Sequence, residues 1–497
     1  MIPLAEAIGS SPQTVGSLLD WPARLYPERP AIQSGKTVAF GELWERSLMR
    51  AGVLANFGVR RFERWGLIAD NSPEFFISLF AMSQLGAVVA PVSINQTSER
   101  LRQSIAGARL AGIVAPQTYR LDAAVGVALD DYLQVFAEAR PDIAPVRQLP
   151  IDVDPALIIW SSGSTRAARG VVLEHAAVLA NIRSNVCALG LHDDDRTLVV
   201  LPVVHAYALI HQCLCHLAVG ATVCFSQQPL FAPTLCRQLE EFEITTLTTA
   251  PPVLKILVEG LRRTGRTCPQ LRLVTVGAGR ADRETLAEAM DLLPHARFAI
   301  TYGLTEAGPR VATNFVDRDN IDSARIGKPL PNMEMHLEPS ANGASEIRVR
   351  GRSLMRSYAD EPYAEGSDHS LLTSDLGEVR DGVWYVRGRL DRAINRGGVL
   401  LAVEPIEEVI RRHPAVESVL VEAAPHPFWG QTPMATISAR DGHAAPSPEE
   451  LRQFCARWLT PEEIPARFEV SREGLTISAK DRMMLAQVDD GGGSERC

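Results

Sequence analysis

Short apolar runs rich in β-branched residues alternate with amphipathic helical segments over most of this chain, and that alternation restricts the fold more than any other feature. Residues 157–160 (LIIW), 197–204 (TLVVLPVV), 221–225 (ATVCF), 244–250 (ITTLTTA), 271–277 (LRLVTVG) and 298–303 (FAITYG) read as buried strands. Between them, LEHAAVLANIRSNVCALG and PTLCRQLEEFE carry the apolar spacing of helices. Repeated strand–helix units give parallel strands with helices over their faces, so the expected class is α/β with parallel-rich sheets. Asn71-Ser72-Pro73-Glu74 marks one helix start with a capping side chain and a proline in the first turn. The most apolar run, FFISLFAMSQLGAVVAPV, is interrupted by Ser78, Ser83, Gln84 and Gly86 and stopped by Pro91. It reads as a core helix feeding a strand, too broken for a membrane span.

After about residue 325 the texture changes. IGKPLPNMEMHLEPSANGASEIRVRG is a series of short strands with Gly, Pro and Asn turns, a small β-rich subdomain spanning about 325–388. A new pattern follows GRLDR: EPIEEVIRRHPAVESVLVEAAP and SPEELRQFCARWLT mix helix with strand, enough for a separate small α+β domain. The expected organisation is a large N-terminal domain (1–388), a hinge (389–392), a small mobile C-terminal domain (393–487) and a frayed tail (488–497).

The charge balance narrows the partners. Fifty basic against 59 acidic residues give a net charge of −9, the wrong sign for a protein living on nucleic acid or anionic lipid. Eight cysteines in 497 residues are too few for a disulfide scaffold. Cys213 and Cys215, flanked by His211 and His216, offer metal-ligand chemistry, yet they sit inside an apolar run where buried small side chains explain them better. The N-terminus MIPLAEAIGSSP has neither a basic stretch nor an apolar core, so a cytoplasmic protein is expected. The only lysines are Lys36, Lys255, Lys328 and Lys480, in a chain that otherwise takes its positive charge from arginine.

Four segments carry residues suited to chemistry. Ser161-Ser162-Gly163-Ser164-Thr165, with Arg166 and Arg169 close behind, follows a strand and precedes a helix. Hydroxyls and backbone N–H groups around a glycine can converge on phosphate oxygens, although a plain Ser-rich turn has the same composition. It does not match the P-loop spacing. Tyr302-Gly303-Leu304-Thr305-Glu306 ends another strand, where α/β proteins bind ligands. Its ring can stack on a base, its hydroxyl can meet a phosphate and its carboxylate can hold Mg²⁺; the same letters also suit a core tyrosine and a helix-start charge. Asp375, in Thr373-Ser374-Asp375-Leu376-Gly377, is fit to accept two hydrogen bonds from a ribose diol. Lys480 is a flexible point charge, different in kind from a guanidinium fork.

Taken together, these segments resemble the adenylate-forming superfamily: acyl-CoA and aryl-CoA synthetases, carrier-protein adenylation domains and beetle luciferases. The resemblance runs from about residue 15 to about residue 485, with the motifs in family order. SSGSTRAARG is similar to the phosphate loop, LPVVHAYAL to the Leu-Pro-x-x-His segment, and VGAGR (Gly277, Ala278, Gly279) to the adenine-contacting turn. YGLTE is an intact signature, RIGKPLPNMEM matches the stretch after it, and TSDLG retains the ribose aspartate as Asp375. GRLDRAI resembles the hinge, with Arg389 as a ribose contact and Asp391 as the pivot, and TISAKDR places the catalytic lysine at Lys480.

The resemblance implies that a substrate carboxylate attacks the α-phosphate of ATP, giving an acyl-adenylate and pyrophosphate. Lys480 then bridges carboxylate and phosphate, Thr305 contacts the phosphates and Glu306 holds Mg²⁺. Rotation of the small domain about Asp391 admits a pantetheine thiol, from CoA or from a phosphopantetheinyl carrier protein, with a slight lean towards the carrier. His205, Tyr207 and Ile300 are expected to line the acyl tunnel; His205 is alternatively a gate or a satisfied core histidine. Amino-acid-activating relatives place an aspartate just after the position of His205, and HAYALIHQCLCHL has no acidic residue. The implied substrate is therefore an uncharged aryl or short-to-medium acyl acid, and the implied state a monomer or homodimer.

Several positions depart from the family pattern. Thr165-Arg166-Ala167-Ala168-Arg169-Gly170 stands where Thr-Gly-x-Pro-Lys-Gly is usual. Ile300 replaces a Gln or Asn, Ala479 a glycine, and AVEPIE scrambles the usual Pro-x-Glu-Ile/Leu-Glu. Thr305, Glu306, Asp375, Arg389 and Lys480 all remain, which favours an active enzyme over a non-catalytic nucleotide-binding paralogue with a degenerate phosphate loop.

Overall fold

The expected alternation of strand and helix produces three sheets in the computed structural model, which describes residues 13–95, 98–117, 119, 127–128, 133–136, 151–161, 169–226, 230–339, 345–361, 369–396, 399–440, 442 and 444–471. In the first sheet the strands Pro30–Ser34, Thr222–Phe225, Arg196–Val199, Thr246–Thr249, Leu273–Val276 and Arg297–Gly303 lie side by side and parallel. Their interiors are buried on both faces, which explains why they read as continuous apolar or Thr-rich runs without alternation. The run 197–204 forms a shorter strand than its letters imply, Arg196–Val199, and Pro202 lies in the turn beyond it.

The β-rich subdomain is continuous with that sheet. From Arg297–Gly303 the ladder passes through antiparallel strands Arg310–Phe315, Arg325–Pro329, Val383–Arg389, Ser370–Arg380, Ser345–Gly351 and Met333–Pro339; with Lys36–Ala39, antiparallel to Pro30–Ser34 at the other edge, the sheet has thirteen strands. One short strand, Ser357–Tyr358, leaves this group and pairs with Gly170–Glu174 at the edge of the eight-stranded second sheet. That excursion brings residues near 358 back to the base of the Ser-rich loop.

Helix Pro73–Gln84 illustrates how the layers are joined. Ser72 caps it by accepting from the Phe75 N–H, and every residue from Phe75 to Ser83 is buried. A helix apolar on all sides belongs inside the protein, here packed on strands of both large sheets. Among the described residues no helix is long and apolar enough to cross a membrane.

The small domain begins directly after a 3₁₀ turn at Leu390–Arg392. It holds a five-stranded sheet whose long hairpin, Val416–His426 with Gly430–Ala439, is flanked by helices Val403–Arg411 and Pro448–Cys455. Ser447 and Glu450 form a capping box at the start of the second helix. Ile394, Ile406, Ile410, Val416, Ile437 and Leu451 form its own core.

Candidate active site

Strand Arg297–Gly303 delivers the Tyr302–Glu306 segment to the sheet edge, where it meets strands that lie far away in sequence. The Tyr302 hydroxyl donates to Oδ2 of Asp375 at 2.6 Å. Arg389, opposite Asp375 in the ladder, reaches Oδ1 of the same carboxylate at 3.3 Å. Both oxygens of Asp375 are thus oriented. Burial pushes its pKa up, while Tyr302 and Arg389 act against that rise. The Tyr302 phenol is pushed well above its usual range by burial and by the neighbouring carboxylate. Gly303 is required by space: a Cβ there would lie 1.9 Å from the Pro309 carbonyl oxygen.

Thr305 and Glu306 occupy a short 3₁₀ turn, both half-buried. One oxygen of Glu306 accepts from the Tyr358 hydroxyl at 3.1 Å. Burial and that carboxylate push the Tyr358 phenol up to about 12, so it remains a donor. Arg169 lies over the Tyr358 ring, 3.5 Å from its centroid, and its guanidinium pairs with Asp360 at 3.2 Å and Glu361 at 2.6 Å. Expected to face phosphate, Arg169 is instead engaged by two carboxylates here. The base of the Ser-rich loop is closed by Ser161 N–H donating to the Arg169 carbonyl at 2.9 Å. Ser162, Gly163, Ser164 and Thr165 lie outside the described residues.

The Gly277-Ala278-Gly279 turn follows strand Leu273–Val276. A Cβ on Gly277 would lie 2.2 Å from Thr301 Oγ1 and 2.6 Å from the Tyr207 oxygen, so close approach requires glycine. Ala278 adopts the left-handed conformation, φ 58°. Tyr207 and Thr301 are hydrogen-bonded at 2.9 Å. Ile300, expected in the acyl tunnel, does not join Tyr207. Side chains alternate along a strand, and Ile300 packs with Val276, Phe298 and Ile321 on the other face, while its neighbour Thr301 takes the place beside Tyr207. His205 sits half-buried at the turn entering the helix, its carbonyl accepting from Leu209 N–H.

Tyr207–Leu214 is a π-helix, a local widening frequent at functional sites. It places the Tyr207 and His211 rings face to face, centroids 4.7 Å apart and 2° from parallel. His211 in turn meets the buried Arg310, whose Nη1 lies 2.8 Å from Nδ1 and 3.1 Å from Nε2. Sequence reasoning passed over Arg310; the available signal was a charged residue heading the apolar strand Arg310–Phe315. Cys213 and Cys215 are buried thiols whose pKa values are raised by burial, and His216 bonds to Gln212 O and Thr246, so this group is core and holds no ligand geometry for a metal.

At the expected hinge, Asp391 receives both Nε and Nη2 of Arg389 at 3.2 Å. One contact between the two domains is made by Arg280, whose guanidinium pairs with Glu408 of helix Val403–Arg411 at 2.7 Å. Lys480 lies outside the described residues.

Residues 19–359 match the family model described as AMP-binding enzyme, and residues 405–480 match the AMP-binding enzyme C-terminal domain. The chain is 27% identical over 486 residues to the 2-succinylbenzoate–CoA ligase of Bacillus velezensis, covering 94% of this chain and 96% of that one. It is 26% identical over 454 residues to 4-coumarate–CoA ligase 5 of Oryza sativa subsp. japonica, covering 85% and 84%. In fold it superposes on the o-succinylbenzoate CoA synthetase of Bacillus subtilis in complex with its acyl-adenylate intermediate, with a TM-score of 0.79, 23% identity and coverage of 97% and 99%.

Proposed function

Because the chain belongs to the AMP-binding enzyme family, which its match over residues 19–359 establishes, we propose that it activates a carboxylic acid with ATP to an acyl-adenylate and passes the acyl group to a pantetheine thiol. The observation that carries this reading is the joint orientation of Asp375 by Tyr302 and Arg389 at the end of the nucleotide-side strands. A carboxylate with both oxygens positioned, beside a close-packed glycine turn, suits the ribose of a nucleotide.

Glu306 fits a magnesium ion: it is half-buried, and Tyr358 holds one of its oxygens while leaving the other to a ligand. When bound, the ion neutralises phosphate charge. Gly277, Ala278 and Gly279 provide the adenine turn, Ser161 to Thr165 with Thr305 the phosphate contacts, and Lys480 the cation that bridges acid and α-phosphate. Arg169 serves that loop by bracing Tyr358 against Glu306, a second-rank role compared with direct phosphate contact.

Coenzyme A is favoured as the thiol donor. The relatives matched over most of their length are CoA ligases, which outweighs the slight preference for a carrier protein drawn from motif spelling. The test is pyrophosphate release and hydroxamate formation from MgATP, hydroxylamine and a panel of acids, with Lys480→Ala as control. Acid-dependent release that collapses in the variant supports the reading. ATP binding without release from any acid supports a non-catalytic paralogue.

A further inference from the structure

Arg310 is 1% exposed and among the largest fully buried side chains of the protein. Burial draws its pKa down to about 10, which still leaves it charged at neutral pH. The other buried arginine, Arg50, has Glu74 at 3.0 Å. Among the described residues no carboxylate pairs with Arg310. Its partners are neutral: a ring nitrogen of His211, Oγ1 of Thr313 at 2.8 Å and the carbonyl of Ala312 at 3.3 Å. His211 adds no charge of its own, because burial and Arg310 itself hold its pKa well below the usual range and keep the ring neutral. A guanidinium has more N–H groups than these acceptors take up. An unpaired buried charge costs several kcal/mol, a cost that an incoming anion offsets.

The surroundings connect Arg310 to the nucleotide side of the sheet. Arg310 pairs across the ladder with Gly303, directly behind the Tyr302–Glu306 segment. From it a line of polar side chains runs through His211 to Tyr207 and Thr301, ending against Gly277 of the adenine turn. His211 and Thr301 are buried, and Tyr207, half-buried, stands at the Gly277 end of this line. A tunnel for a hydrocarbon acid has no use for four hydrogen-bonding side chains in sequence. We propose that Arg310 binds a second carboxylate on the acid substrate, so that the acid is a dicarboxylate whose reacting end lies at the nucleotide and whose distal end lies at Arg310. This rests on the adenylation reading and replaces the uncharged acid expected from the sequence. Rotation of the Tyr207 ring away from Thr301 is the route inward, and the carboxylate takes the fork of Arg310 in the geometry that guanidinium favours.

The test uses the full chain with MgATP and succinate, glutarate, adipate or terephthalate, each beside its monomethyl ester, which keeps size and removes the distal charge. Pyrophosphate release should show a kcat/KM for at least one diacid about a hundredfold above that of its ester, because a site built for a polar group rejects the analogue lacking it. Arg310→Met should bring the diacid's kcat/KM down to that of its ester, whereas Arg310→Lys, which keeps a positive charge, should retain part of the preference. Esters that perform as well as every diacid with the unaltered protein overturn the proposal without reference to the variant. If only the wider acid panel releases pyrophosphate, the Arg310 inference is overturned and the adenylation reading stands. If neither series nor that panel releases it, the adenylation reading fails. The Arg310 inference is then decided by melting temperature: a diacid that stabilises the protein more than its ester upholds it, and equal effects overturn it.

Discussion

The Tyr302 hydroxyl and Asp375 Oδ2 stand 2.6 Å apart although 73 residues separate them in sequence. A phenol donating to a carboxylate is a charge-assisted bond, worth about 1.5–3 kcal/mol when the acceptor is charged. Tyr302→Phe keeps the ring and removes this bond, leaving Asp375 to Arg389 alone. KM for ATP in acid-dependent pyrophosphate release should rise about tenfold or more, tenfold being about 1.4 kcal/mol. An unchanged KM would show that Asp375 does not need Tyr302 to meet the nucleotide.

Arg280 and Glu408 join the two domains through one ion pair, both side chains partly buried. Partial burial should lift its worth to about 1 kcal/mol, the upper end for such pairs. The alanine variants of each and of both together should show coupling of that size in the rate of proteolytic cleavage at the hinge. Additive effects would mean that the pair does not hold the domains in this arrangement.

Gly277→Ala should be far more damaging than its one added methyl suggests. The new Cβ meets Thr301 Oγ1 and the Tyr207 oxygen well inside contact distance. Overpacking of this kind costs about 1–3 kcal/mol. The same change in a Tyr207→Phe, Thr301→Ala background should recover most of that loss in urea denaturation. Equal losses in both backgrounds would place the strain elsewhere.

Acidification should weaken the fold through buried histidines. His175 is wholly buried, its Nδ1 accepts from Val15 N–H at 3.0 Å, and burial lowers its pKa from 6.5 to about 4. The native ring therefore stays neutral while the unfolded chain takes up a proton, so stability falls as pH drops below 6.5 and levels off below about 4. This group alone removes about 2 kcal/mol between about pH 7 and about pH 5. His211 and His216 shift in the same direction. Urea midpoints at the two pH values measure the loss, and His175→Gln should flatten the slope; a midpoint independent of pH would contradict the assignment.

The strands and helix starts were legible because each rests on local chemistry: Ser72 caps the helix that its Pro73 announces, and Arg297–Gly303 follows its letters. The site segments were legible for the same reason, as compact groups of hydroxyl, glycine and carboxylate. Their partners were not. Arg169 reads as a phosphate ligand until the strand Ser357–Tyr358 crosses to the second sheet and brings Asp360 and Glu361 beside it. Ile300 and Thr301 are adjacent letters, and only the orientation of the strand decides which one faces Tyr207. The π-helix leaves no mark in an apolar run, yet it sets the stacking of Tyr207 on His211.

Arg389 is the last residue of its strand, which is the last in chain order to join the thirteen-stranded sheet. One side of its guanidinium grips Asp375 and the other grips Asp391, two residues further on and already in the turn that leads to the small domain. A swinging lid is usually pictured as a door on an indifferent hinge. Here the residue at the joint is itself in contact with Asp375, the carboxylate proposed to meet the ribose. On the proposed function, displacing Asp391 should slacken the grip on Asp375, and a nucleotide that tightens Asp375 should stiffen the joint. Under that reading, swing and occupancy are geared to one another through a single side chain, and the timing of the stroke is set at the fulcrum.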